Sequence, residues 1–382
     1  MDVLDAKASR TTAENARVAA RPSFRFAALG FPVIGRVLSY PPYNAAAATE
    51  LGSEPTSLAH AARYYSSMSR IPTVSIVIPV FNGENYLREA ITSILLQSYR
   101  DFELVISDNA STDATESICR KFCLQDPRIR YIRQSANIGA ARNFNILVAE
   151  ARGRYFKWMA HDDVIAPSYM AVCVDALDRD ATAVLASTRI RYIDASGNPH
   201  EEYASPFRIG DPNPAVRFSE MMRGGGRCYE IFGLIRRSEL LQTGMIGCYY
   251  HGDGVLLAHL SLLGRFIELQ DLLLYSRRHD KQSMYVFGVA YREAVPDFEA
   301  YAAWFDPRNH VGVSCSFSKM LADYCWMVRV SPLSFATRAS CARVIAVWLW
   351  KRWRFIAGEW KRTLLNAIGA DLKSRSRIKE DA

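Results

Sequence analysis

At 382 residues, with 49% hydrophobic and 12% aromatic side chains, the chain has room for one large α/β domain with extensions, or for two domains, and is too apolar to be wholly disordered. Its formal charge of +8 is unevenly placed: residues 338–382 hold 11 Lys/Arg against 4 Asp/Glu, a net of +7, which leaves the body nearly neutral. A neutral body carries no nucleic-acid footprint, while the basic segment is either a solvated helix or a surface for an anionic partner such as a phospholipid membrane.

The eight cysteines form no CxxC pair, and Cys119 and Cys123 stand one helical turn apart without a His ligand nearby. All eight read as buried, reduced thiols of a cytoplasmic protein. No apolar run reaches the ~18–20 residues of a membrane span. Residues 1–70 lack a compact signal-peptide pattern and any sustained periodicity, and read as a poorly ordered extension.

Residues 71–285 read as the main domain. Val74–Val80 is β-branched and apolar on both faces, as a buried parallel strand requires. Asn82-Gly83 ends it, and residues 84–97 carry Leu87, Ile91, Ile94 and Leu95 at helical spacing. FELVIS forms a second strand ending on Asp108. Asp113 can cap a helix through Leu124. RIRYIR is a third strand, and Asn137-Ile138-Gly139 turns into a third helix. RYFKWMA is a fourth strand, followed by His161-Asp162-Asp163. Strand and helix alternating at this spacing make a doubly wound α/β sheet, whose ligands sit beyond the carboxyl ends of the strands. Asn82, Asp108 and Asp162-Asp163 fall at three of those ends, which points to a pocket rather than to three unrelated helix caps.

Beyond Pro167 comes a further helix to about Leu177, then AVLASTRIRYI as a strand or hairpin arm, with Ser196-Gly197-Asn198-Pro199 as a turn. Residues 200–227 read as irregular, with Gly224-Gly225-Gly226 as a loop. EIFGLI is a short strand, and His251-Gly252-Asp253-Gly254 opens a helix. RFIEL and LLLYSRR read as two strands, the second followed by His279. From about residue 286 the pattern is helical. Ile345, Leu349, Trp353, Ile356, Trp360 and Leu364 form one apolar stripe, with Arg343, Lys351, Arg354, Lys361 and Arg362 off it. Such a stripe either packs on protein or lies in a bilayer interface over residues 340–368.

Paired carboxylates at a strand end, with another carboxylate and a His further on, suit a divalent cation bound to a diphosphate. VSIVIPVFNGENYLREAITSILLQSYRDFELVISDNASTD, NIGAARNFN and GRYFKWMAHDD together resemble a family 2 glycosyltransferase of the GT-A fold, over residues 74–163. A weaker likeness runs through HGDGVLLAHLSLLGRF and LLLYSRRHDKQS. The resemblance implies a mixed, mainly parallel α/β sheet; residues 1–70 and the helical C-terminal extension over 286–382 lie outside it. It divides the main domain into a nucleotide-sugar half, 71–165, and an acceptor half, 166–285. It implies a nucleotide-diphosphate sugar donor, Mn²⁺ or Mg²⁺, a hydroxyl acceptor and inversion at the anomeric carbon.

Carried onto this chain, the resemblance puts Pro79 and Phe81 beside the nucleobase and ribose, and Asp108 on the base. Asn109 stands where the family has a second Asp. Arg142 falls at a donor-contacting position or is a surface Arg. Asp162 would face the donor sugar or ribose, and Asp163 and His279 would hold the metal. Asp253 fits the general base, or else an ordinary helix cap, and Arg277 and Arg278 could neutralise diphosphate. Three other readings remain. A sugar nucleotidyltransferase would need a Gly-rich, Arg-containing loop after the first strand, which FNGENY is not. An inactive GT-A scaffold would not need the acidic set. A dinucleotide-binding domain would need GxGxxG after residue 80.

Overall fold

The computed structural model describes residues 71–380, apart from 224–227, 287–297 and 310–315. The extension over 1–70, the Gly224-Gly225-Gly226 loop and Cys315 lie outside the described residues.

Nine strands form one sheet: β1 Val74–Val80, β2 Phe102–Asp108, β3 Ile129–Arg133, β4 Tyr155–Trp158, β5 Val164–Ile165, β6 Ala183–Ile193, β7 Pro199–Tyr203, β8 Leu234–Arg236 and β9 Arg265–Arg277. Their order is β3-β2-β1-β4-β8-β6-β9-β5, with β7 paired to β6. The first four run parallel to their neighbours, β8 enters antiparallel, and β6 and β9 are again parallel to each other. The expected α/β, mainly parallel sheet is the one the chain forms.

Alternation explains why β1 must be apolar throughout. Ile76 and Ile78 join Leu104 and Ile106 in the core on one face, while Val77 and Val105 join Leu147, Phe156 and Trp158 on the other. Both faces are covered by helices, so neither can be polar. The covering helices include α1 Leu87–Leu95, α2 Thr115–Gln125, α3 Ala140–Glu150, α4 Tyr169–Arg179, α5 Pro214–Arg223 and α6 Gly252–Leu263. Gly153 admits no side chain, because a Cβ there would lie 2.5 Å from the Ser75 backbone nitrogen.

Several local expectations change. Residues 200–227 are not irregular as a whole: β7 occupies Pro199–Tyr203 and α5 buries Ala215, Phe218, Met221 and Met222. RFIEL and LLLYSRR are one strand, β9. Gln270 and Asp271 resemble a turn in sequence but sit where the β6–β9 register shifts, at Thr188/Arg189, so the strand absorbs them without breaking. The cysteines are not uniformly buried, since Cys325 is exposed and Cys123, Cys228 and Cys248 are half-buried.

Three longer helices follow the sheet among the described residues: α7 Phe298–Phe305, α8 Ser316–Val330 and α9 Phe335–Glu380. α9 packs on α8 and α5 through Cys341, Ile345, Trp348 and Ile356, which belong to the same core as Phe218 and Tyr324. Of the expected stripe, only Ile345 and Ile356 are buried. Trp353, Trp360 and Leu364 are exposed, as is Trp350, at 78%. No helix among the described residues is long and apolar enough to cross a membrane.

Candidate active site

The site begins where β1 and β2 end. Pro79 lies inside β1, buried opposite Ser107, whereas Phe81 just beyond the strand is 44% exposed. The two loops that follow are sewn together. The Asn82 N–H donates to Ser111 Oγ at 2.9 Å, Asn82 Oδ1 accepts from Thr112 N–H at 2.9 Å, and Gly83 N–H donates to Thr115 Oγ1 at 2.9 Å. Asn82 has φ 52°, a left-handed conformation that its short polar side chain tolerates.

Asp108 is fully buried and accepts from Ser111 N–H at 2.8 Å, Tyr131 Oη at 2.6 Å and Arg133 Nη1 at 2.6 Å. Its carboxylate therefore shapes the loop from within. Asn109 Oδ1 accepts from Ile138 N–H, and its amide donates to Asn137 Oδ1, both at 2.9 Å. The side chain pins the turn that reaches Gly139, whose φ of +86° needs a glycine. Arg142 is paired with Asp306, Nη2 to Oδ2 at 3.1 Å. Of the residues expected on the nucleotide side, Phe81 is thus the exposed one, while Asp108, Asn109 and Arg142 engage protein partners.

The second cluster follows β4. Asp162 Oδ2 lies 3.0 Å from His279 Nε2, and both side chains are nearly buried. Asp163 is turned the other way and accepts the Arg277 backbone N–H at 2.9 Å through Oδ1. Asp162, expected on the sugar or ribose, is thus the aspartate beside His279, and Asp163, expected on the metal, meets the end of β9. Antiparallel pairing of β5 with β9 fixes the arrangement, because it sets Asp163 beside the end of β9. Arg277 is a buried hub rather than a free cation: Nε donates to the Asp162 carbonyl, Nη1 to the carbonyls of Asp194 and Ala195, and Nη2 to Glu89. Tyr86 lies under the Arg277 guanidinium and 4.9 Å from the His279 ring. A Cβ on Gly83 would come within 2.9 Å of the His161 ring, so β1's loop closes directly onto this cluster.

Electrostatics separate the two aspartates. Burial opposes ionisation of Asp162, but the His279 hydrogen bond and the neighbouring imidazole charges overrule it and hold its carboxyl below the usual range. Burial, then the charge of Asp162, pushes Asp163 up to about 8 against the pull of Arg277 N–H, Ser276 and Lys157. Asp162 is the carboxylate that stays charged. Lys157, fully buried in β4, has its ammonium pushed down to about 8 by burial. Its sequence signal is a single Lys inside the otherwise aromatic YFKW.

Asp253 stands in the first turn of α6 with its side chain 28% exposed, accepting the Gly254 N–H at 2.8 Å. His251 precedes it at φ 63°, with Nδ1 4.0 Å from Asp253 Oδ1. The segment 228–232 relates this residue to the other cluster: Cys228 feels the charge of Asp253, while Tyr229 next to it feels that of Asp163.

Asp162 and His279 offer a carboxylate oxygen and an imidazole nitrogen at one point, too few to enclose a cation. That donor set fits Mg²⁺ or Mn²⁺, which keep water and phosphate oxygens in their shell.

This fold is the GT-A fold of glycosyltransferases. Staphylococcus aureus TarS has it, with a TM-score of 0.51 at 15% identity, covering 74% of this chain and 72% of that one. Residues 75–239, less than half of the chain, match Glycosyl transferase family 2. An uncharacterized glycosyltransferase of Rickettsia typhi is 36% identical over 108 residues, 28% of this chain and 33% of that protein. Chondroitin synthase of Escherichia coli is 34% identical over 133 residues, 35% of this chain and 19% of that protein. The chain thus spans a third or less of the length of these two relatives.

Proposed function

We propose that the chain is an inverting transferase that moves a sugar from a nucleoside-diphosphate sugar to a hydroxyl acceptor, in the synthesis of a cell-surface polysaccharide or glycolipid. The observation that carries it is the Asp162–His279 pair, 3.0 Å apart and nearly buried beyond the carboxyl end of β4, in a chain whose residues 75–239 match family 2. Support for the donor class comes from TarS, crystallised with UDP and with UDP-GlcNAc. The name of the Escherichia coli relative supports a polysaccharide product.

In this reading Phe81 lies against the nucleoside, and the Asp108 and Asn109 networks hold the loops that frame it. Asp162 and His279 hold the divalent cation, which when bound neutralises charge on the leaving diphosphate. Asp253 takes the proton of the acceptor hydroxyl as that oxygen bonds to the anomeric carbon. The bond from that carbon to the diphosphate oxygen breaks, and its electron pair leaves with the nucleotide. A single displacement of this kind inverts the anomeric centre. The exposed Trp350, Trp353 and Trp360, interleaved with Lys351, Arg354 and Lys361, support peripheral contact with an anionic membrane.

The test is a thermal-shift screen of UDP-, GDP- and dTDP-sugars with Mn²⁺ or Mg²⁺. One donor at ~100 times its Kd is expected to add about 2.7 kcal/mol of stability. No shift with any donor and either cation would sink the reading. With that donor, Asp253→Asn should keep the shift and lose transfer by ~100-fold or more. Unchanged turnover would remove Asp253 from the chemistry.

A further inference from the structure

Among the described residues, one set of three His, Cys, Asp or Glu side chains brings its ligand atoms within 4.8 Å of one another: Cys228, His251 and Asp253. This is not the Asp162–His279 cluster. Cys228 Sγ lies 3.9 Å from His251 Nδ1, which lies 4.0 Å from Asp253 Oδ1. A tetrahedral zinc centre, with Zn–S near 2.3 Å and Zn–N or Zn–O near 2.0–2.1 Å, needs edges of about 3.3–3.6 Å. The two edges to His251 are therefore about half an ångström too long for such a centre, and the third, from Cys228 to Asp253, is within 4.8 Å.

The surroundings hold the ligands in place. Cys228 and His251 both line a cavity with Phe207, Met221, Glu230 and Leu257. A Cβ on Gly254 would lie 2.2 Å from His251 Nε2, so this glycine gives the imidazole its place over the first turn of α6. All three ligands are partly exposed, so an ion has a route from solvent.

We propose that Cys228, His251 and Asp253 form a site for a borderline-soft divalent cation, Zn²⁺ by its chemistry, distinct from the donor-side cation site. A thiolate with an imidazole and a carboxylate suits Zn²⁺ or Co²⁺, and the soft thiolate disfavours the hard Mg²⁺. Binding displaces the Cys228 thiol proton to solvent and leaves a neutral three-ligand centre with a fourth position for water. The consequence for activity rests on Asp253 being the base proposed above. A cation on its carboxylate stops it accepting the acceptor proton, so Zn²⁺ and transfer compete.

Binding is read without any donor. Co²⁺ added to the full-length, reduced protein should give a thiolate-to-cobalt charge-transfer band at one equivalent, displaced by Zn²⁺. Cys228→Ser and His251→Gln should each lose that band, while Cys325→Ser keeps it. Gly254→Ala should weaken Zn²⁺ binding by tenfold or more. A wild-type protein with no band, or a band that survives Cys228→Ser, overturns the site. For the consequence, Zn²⁺ inhibition is measured against each variant's own rate in Mg²⁺ and should weaken at least tenfold in Cys228→Ser. Equal inhibition in both proteins overturns the competition. A band with no transfer from any donor counts against the proposed function and leaves the metal site standing.

Discussion

His259 on α6 is 1% exposed, and neither ring nitrogen has a hydrogen-bond partner among the described residues; the ring meets Trp326 edge-on at 5.2 Å. Burial disfavours the imidazolium and pushes its pKa down to about 4. The unfolded value is ~6.5, so as pH falls the unfolded chain takes up the proton first. This contribution to stability is complete above pH ~6.5 and is lost as pH falls towards 4. His259→Leu should flatten that acid limb. At neutral pH it should add about 1–3 kcal/mol by removing unpaired buried nitrogens. Urea unfolding at pH 7 and pH 5 reads both effects, and identical pH slopes for the two proteins would refute the linkage. The two aspartates after β4 allow a sharper comparison. With its pKa raised to about 8, Asp163 is mostly protonated at pH 7, and asparagine mimics that state. Asp163→Asn should keep the Mn²⁺-dependent donor shift, and Asp162→Asn should lose it; the reverse pattern would return the metal to Asp163. Only the resemblance assigns these two carboxylates, Asp162 to the sugar or ribose and Asp163 to the metal. The local sequence does not: it offers adjacent identical residues, and their roles depend on β9, more than a hundred positions away.

At the scale of elements, Glu359 ties two helices together. Buried on α9, it accepts Phe317 N–H and Ser318 N–H at 3.0 Å each and Ser318 Oγ at 2.7 Å, which satisfies the open start of α8. A carboxylate at a helix N-terminus is favoured by its unpaired N–H groups and by the dipole. Glu359→Ala leaves those donors buried and should cost about 1–3 kcal/mol, seen as a lower denaturation midpoint. An unchanged midpoint would show that water replaces the carboxylate. Local pattern made β1 and β2 readable, because each is short, apolar and closed by Asn or Asp. It did not reveal α5, whose Ala215, Phe218, Met221 and Met222 are too few to stand out from a polar stretch. Nor did it reveal the cap at Glu359, which pairs residues some forty positions apart.

The whole molecule decides the meaning of α9. Tryptophan and aliphatic residues occur around much of its circumference, so periodicity could not choose the inward face. Packing chooses it: Cys341, Ile345, Trp348 and Ile356 turn in, and Trp350, Trp353 and Trp360 remain outside. Deleting residues 340–382 therefore tests nothing about membranes, since it strips side chains from the core. Replacing Trp350, Trp353 and Trp360 together by Ser leaves the core intact, and exposed sites of this kind usually change stability by under ~0.5 kcal/mol each. The wild-type protein should sediment with vesicles rich in phosphatidylglycerol at low salt and less at high salt, where charge is screened. The triple variant should lose most of that binding at an unchanged melting temperature, because its Lys and Arg residues remain but nothing enters the interface. If it sediments like the wild type, the tryptophans face another protein surface or water, and the membrane contact must be given up.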